Sequence, residues 1–112
     1  MIGEVAFKGF CSQAAEGRPL RALFIVPNAP AREQLQIDML NIAAARGLNP
    51  VFNKSTRQLH VIPAVAYIRI AHPYLDRELK GLDWHFISGL EYLDAVEEGP
   101  AIGANLMMRV QS

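Results

Sequence analysis

A chain of 112 residues, half apolar and one fifth charged, is sized to bury one core without disulfide or metal staples, and this composition excludes disordered, collagen-like and repeat architectures. Eleven Lys/Arg balance eleven Asp/Glu, so no dense surface of a single sign is expected. One cysteine, Cys11, excludes an internal disulfide, and apolar runs such as 60–68 are too short to span a bilayer and are broken by Pro63.

Residues 4–16 place Val5, Phe7, Phe10, Cys11 and Ala14 at three-and-four spacing, which predicts a short amphipathic helix, although the VAF run also suits the start of a strand. Gly17, Arg18 and Pro19 break that pattern. The run RALFIVP at 21–27 is continuously apolar around Phe24, Ile25 and Val26 and predicts a strand buried on both faces. Asn28 then suits a helix cap and Pro30 a first turn, and Leu35, Met39 and Ile42 recur at helical spacing until Gly47 stops the helix. Three short strands are expected at 51–53, 58–62 and 64–71, separated by polar or proline punctuation. WHFIS at 84–88 reads as a further buried strand behind the turn KGLD, and 90–96 as the start of a helix. Gly99, Pro100 and Gly103 open a tail read as irregular or as an edge element, with strand and helix both open. Apolar strands separated by one strong helix predict a single α/β domain over 1–112, secure over about 20–95, with an open, mostly parallel or mixed sheet and flanking helices.

The charges are unevenly spread. Residues 1–70 hold eight Lys/Arg against four Asp/Glu, whereas 71–98 hold two against seven. That asymmetry suits a basic face for phosphate beside an acidic face that repels or mimics it, and it equally suits ordinary solvated charges. The N-terminus has no basic start followed by an apolar core, so an intracellular, cytoplasmic protein is expected.

LFIVPN followed by AREQLQ, at 23–28 and 31–36, is similar to a strand and helix that lie after the nucleotide loop in DNA motors, where a "vPn…a..q" pattern couples nucleotide to DNA. RIAHPYLDRELKGLDWHFIS, at 69–88, is similar to the stretch in which a strand leads through an "lrG" turn, here Leu79, Lys80 and Gly81, into an acidic strand. Over residues 20–95 the chain therefore resembles the ATPase core of phage terminase large subunits and related helicase-type P-loop proteins. The resemblance implies a phage origin and a DNA partner. Its departures are as informative. A phosphate loop needs glycines whose N–H groups cradle phosphate, a lysine and a Ser or Thr for magnesium, and no GxxxxGK[ST] occurs; only Gly17 and Arg18 stand where the loop belongs. The acidic strand should end in Asp-Glu, but WHFIS runs into Gly89 and Leu90 before Glu91, a residual acidic strand end. The expectation is a non-catalytic binding or regulatory protein with a degenerate P-loop-like domain, acting through DNA or a protein partner and able to form a homo-oligomer. The alternative is an ATPase subunit completed in trans by a partner supplying the phosphate loop.

Other chemistry has thinner support. His60, His72 and His85, with Asp83, Glu91 and Cys11, match no metal-ligand spacing, so no metal or cofactor is called for. Cys11 stands among apolar neighbours with nothing to activate it, and Ser88-Gly89 lacks the leading glycine of a nucleophile elbow. The polar loop 53–57 offers Lys54 and Arg57 to phosphate, or is a solvated turn. Tyr74, Trp84 and Tyr92 near Arg77 and Lys80 make the mixture that single-stranded nucleic acid uses, or serve a core. Leu106, Met107 and Met108 are an apolar candidate for partner docking.

Overall fold

The computed structural model describes residues 1–111. Helix α1 (Glu4–Ala14) precedes strand β1 (Arg21–Val26) and helix α2 (Ala29–Ala45); β2 (Val51–Asn53), β3 (Gln58–Val61) and β4 (Ala64–Ile70) follow, then the one-turn helix α3 (Leu75–Glu78), β5 (Phe86–Ser88), a 3-10 helix (Leu90–Ala95) and α4 (Gly99–Met107). The strands form one mixed sheet in the order β2-β3-β4-β1-β5. β1 lies between β4 and β5 and runs parallel to both, while β2, β3 and β4 form an antiparallel meander.

β1 is the spine because its side chains feed two cores. Ala22, Phe24 and Val26 join Phe7, Phe10 and Cys11 of α1 and Leu35, Met39 and Ala43 of α2 on one face. Leu23 and Ile25 join Leu75, Leu79, Trp84, Leu93, Ile102 and Leu106 on the other. Alternation along a strand sends neighbours to opposite faces, so an unbroken apolar run is what a strand covered on both sides requires. α2 is bounded by local chemistry. Asn28 Oδ1 accepts from the Ala31 N–H at 2.9 Å, and at the other end Gly47, at φ 77°, donates to Ala44 while Leu48 donates to Ala43. That pairing is a Schellman close, which a residue bearing Cβ makes only at a cost in strain.

Three expectations are corrected. The tail beyond residue 99 is not irregular: it is α4, with Pro100 in its first turn and Ile102 and Leu106, four residues apart, turned into the second core. Val110 then makes an isolated parallel bridge to Trp84. The strand expected over 84–88 begins only at Phe86, because the Trp84 backbone exchanges hydrogen bonds with Arg109 and Gln111 instead of extending the pairing with β1. The helix expected from residue 90 is 3-10 in form and ends at Ala95. No described helix is long and apolar enough to cross a membrane.

Candidate nucleic-acid interface

Parallel strands gather their carboxyl ends at one edge of a sheet, and in open α/β folds that edge is where ligands are met. Here the ends of β1 and β4 lie beside the first turn of α2. The antiparallel course of β3 brings the turn 54–57 to the same edge, so residues far apart in sequence line one cleft of about 380 Å³. Arg32, Arg57 and Arg69 supply its positive groups, His72 an imidazole, Ser55 and Thr56 its hydroxyls and Glu78 a carboxylate. Arg57 is held in the left-handed region at φ 53°, its carbonyl taking hydrogen bonds from the Ile68 N–H at 3.1 Å and Arg69 Nη1 at 3.2 Å.

The charges of this edge cleft are largely spoken for. Arg57 Nη1 lies 3.0 Å from Glu33 Oε1, Arg69 Nε lies 3.5 Å from Glu78 Oε1, and His72 Nε2 lies 2.7 Å from Glu78 Oε2. His72 Nδ1 accepts from the Tyr74 N–H at 3.2 Å, which places its proton on Nε2, where it donates to Glu78. Arg32 keeps one open valence: its Nε is shielded from solvent and has no partner among the described residues.

A second cleft, of about 450 Å³, opens between α3 and α4. It collects Arg77, Lys80 and Arg109, and none of the three forms an ion pair among the described residues. Asp76 is the one acid lining it, and its carboxylate is occupied by Asn105 Nδ2 at 2.8 Å and the Arg77 N–H at 3.0 Å. Three cations against one engaged carboxylate leave a local surplus of positive charge inside the segment whose linear count is acidic. The guanidinium of Arg77 lies 5.5 Å from the centroid of the Tyr74 ring, and that tyrosine is 61 % exposed.

The expected site residues thus divide. Arg77 and Lys80 are brought together, and the apolar tail meets them there, since Leu106 and Met108 line the same cleft. Leu106 is corrected as a docking residue: at 1 % exposure it is core, because its helical phase matches Ile102. Met107 and Met108 are exposed. Arg57 lines the edge cleft, and exposed Lys54 stands on the turn beside it, where the Asn53 side chain accepts from the Ser55 and Thr56 N–H groups. Glu91 is exposed on the 3-10 helix and joins neither cleft. A carboxylate at position 89 is sterically barred, since Gly89 sits at φ 93° and a Cβ there would lie 2.0 Å from the Ile25 carbonyl oxygen. Of the three aromatics, Trp84 is fully buried and edge-on to Tyr67, with centroids 5.3 Å apart.

Sequence reasoning missed Arg109, Arg69 and Arg32. Arg109 carries no local signal, because only the return of α4 against α3 brings it to Lys80. Arg69 was visible as the one charge in an apolar strand. Arg32 was visible as a cation in a helix's first turn, where the backbone dipole disfavours it. Compared with models of protein families, with curated proteins and with solved structures, the chain shows no significant match.

Proposed function

We propose that this chain is a non-catalytic nucleic-acid-binding domain that holds the phosphate backbone in the cleft between α3 and α4. The observation that carries the reading is the convergence of Arg77, Lys80 and Arg109, unpaired among the described residues, on one concave surface whose single carboxylate is already engaged. Three cations against a single carboxylate repel one another, and a phosphate backbone relieves that repulsion while releasing its own counterions. The edge cleft supplies a secondary contact, weaker because an incoming phosphate must displace Glu33 from Arg57 and Glu78 from Arg69.

The test is fluorescence anisotropy with labelled oligonucleotides across a salt series. Binding that weakens with salt is expected, with a slope of about −0.7 to −0.9 per phosphate neutralised. Neutralising Arg77, Lys80 and Arg109 together should abolish it at unchanged melting temperature, and unchanged affinity in that variant sinks the reading. Reversing Lys54 and Arg57 should weaken binding less.

For a degenerate motor ancestry the parallel pairing of β1 with β5, two strands in the stretches that carry the resemblance to terminase ATPase cores, counts in favour and the antiparallel meander of β2, β3 and β4 counts against. Among the described residues β5 pairs with β1 alone and ends the sheet, an edge that a partner's strand could extend. That favours the second reading, an ATPase subunit completed in trans. It predicts nucleotide-dependent stabilisation of the chain only in the presence of such a partner, and its absence with every partner tried would end that reading.

A further inference from the structure

We infer that the nucleic acid this domain takes is single-stranded, crossing α3 from one cleft to the other with a base stacked on Tyr74. The inference rests on the phosphate-binding reading above and adds to it the strandedness and the path. α3 is one turn long and forms a wall of both clefts: Asp76, Arg77 and Lys80 face the cleft shared with α4, whereas Glu78, with His72 just before the helix, faces the edge cleft. Tyr74 stands at the head of that turn, in the chain between His72, which lines the edge cleft, and Asp76 and Arg77, which line the other. A strand bound at Arg77 and Lys80 reaches Arg32, Arg57 and Arg69 by passing over it.

Tyr74 is built as a platform. Its N–H is fixed by His72 Nδ1 at 3.2 Å, and its carbonyl accepts from the N–H groups of Arg77 at 3.1 Å and Glu78 at 2.9 Å. The residue is 61 % exposed and belongs to neither core. Arg77 over that ring adds a planar cation beside the aromatic surface, the pairing on which bases stack without regard to sequence. Exposed Met108 supplies a second soft contact at the mouth of the α3–α4 cleft.

A duplex is a poor fit for the same surface. Reading a major groove takes a projecting helix with polar or cationic side chains. α3 spans four residues, and α4 carries no charged side chain between Gly99 and Met107, its Asn105 donating to Asp76. The cations sit in concavities on either side of a narrow turn, which suits a flexible strand with its bases turned out.

The experiment is anisotropy at fixed low salt with one labelled oligonucleotide of about 15 nucleotides, single-stranded and as a duplex, in DNA and RNA forms, and inorganic polyphosphate as competitor. Tighter binding of the single strand is expected, in either sugar chemistry. Tyr74→Ala should weaken single-strand binding roughly tenfold or more, leave duplex and polyphosphate binding and the salt slope unchanged, and be rescued by Tyr74→Trp. The cation-neutralised variant of the α3–α4 cleft should instead lose every ligand. Equal or tighter duplex binding overturns the inference. So does a Tyr74→Ala variant that binds the single strand normally while the cation variant does not, and that result leaves the phosphate reading standing. No binding of any polyanion by the unaltered chain overturns both.

Discussion

The two faces of the sheet are built by different means. One is sealed by α1 and α2, helices of 11 and 17 residues whose apolar stripes lie on β1, β3 and β4. The other is covered by a one-turn helix, a 3-10 helix and the nine-residue α4, and its core is held together by Trp84 and a set of leucines and isoleucines. Away from the edge cleft, the clefts along those long helices are lined by no Lys or Arg among the described residues. Short elements meeting at angles leave clefts between them, and the cations of 77–80 and 109 fall into one. The face closed by short elements is therefore the one on which the proposed binding site lies.

Removing the keystone of each face gives the largest effects. Phe24→Ala empties a site packed edge-on to Phe7, and Trp84→Ala empties the centre of the second core, each at a cost of about 3–5 kcal/mol in denaturant unfolding. The faces should part company in the conservative changes. Trp84 Nε1 is buried without an acceptor among the described residues, so Trp84→Phe should cost less than half as much as Trp84→Ala. If Trp84→Phe proves as damaging as Trp84→Ala, the indole nitrogen has a partner in solution and the second core is organised around it.

A smaller effect tests the hinge between the faces. Gly89 ends β5 at a left-handed φ and lies against the β1 backbone at Ile25, so the 3-10 helix can start only if position 89 has no side chain. Gly89→Ala should cost at least about 1–3 kcal/mol from backbone strain, with the clash added. Its signature should be local, with near-ultraviolet dichroism of Trp84 altered while the amides of α1 and α2 remain protected from exchange. Equal loss of protection on both faces would mean that the two cores unfold as one.

How much was legible follows the same division. The α1/α2 face could be read because periodicity acts over whole helices: Leu35 and Met39 repeat, Asn28 caps, Gly47 stops, and the β1 run needs two covers. The other face could not, since a one-turn helix has no period to detect, and Gly99, Pro100 and Gly103 look like breakers until Ile102 and Leu106 are seen to share a face. Arg77 and Lys80 were legible as a cationic pair three residues apart. Their third partner was not, because Arg109 reaches them only through the docking of α4. Leu106 was misread by composition alone: beside Met107 and Met108 it looks like part of a sticky tail, and only helical phase separates it from them.

The smallest expected effect concerns Cys11, which belongs to the sealed face and reports on how firmly that face is shut. Burial holds the Cys11 thiol above its ordinary 9.0, and the nearby Arg46 charge offsets part of the rise. A raised value means that the folded chain holds the thiol proton more tightly than the unfolded chain does, so the contribution to stability is complete below pH 9.0. Above that pH the unfolded chain ionises first, and the contribution is lost as pH climbs toward the folded value. Stability measured by urea unfolding should therefore fall above pH 9 more steeply in the unaltered chain than in Cys11→Ala, which lacks this group. The comparison is of slopes, because the alanine also removes a buried sulfur and shifts the absolute value. Thiol-reactive dye should label native Cys11 no faster than global unfolding allows, while trypsin should cut at Arg77 in the one-turn helix or at Lys80 just after it well before that. Parallel slopes, together with rapid labelling of the native chain, would show that α1 lifts from the sheet on its own, and the contrast between a sealed face and an open one would then be a matter of degree.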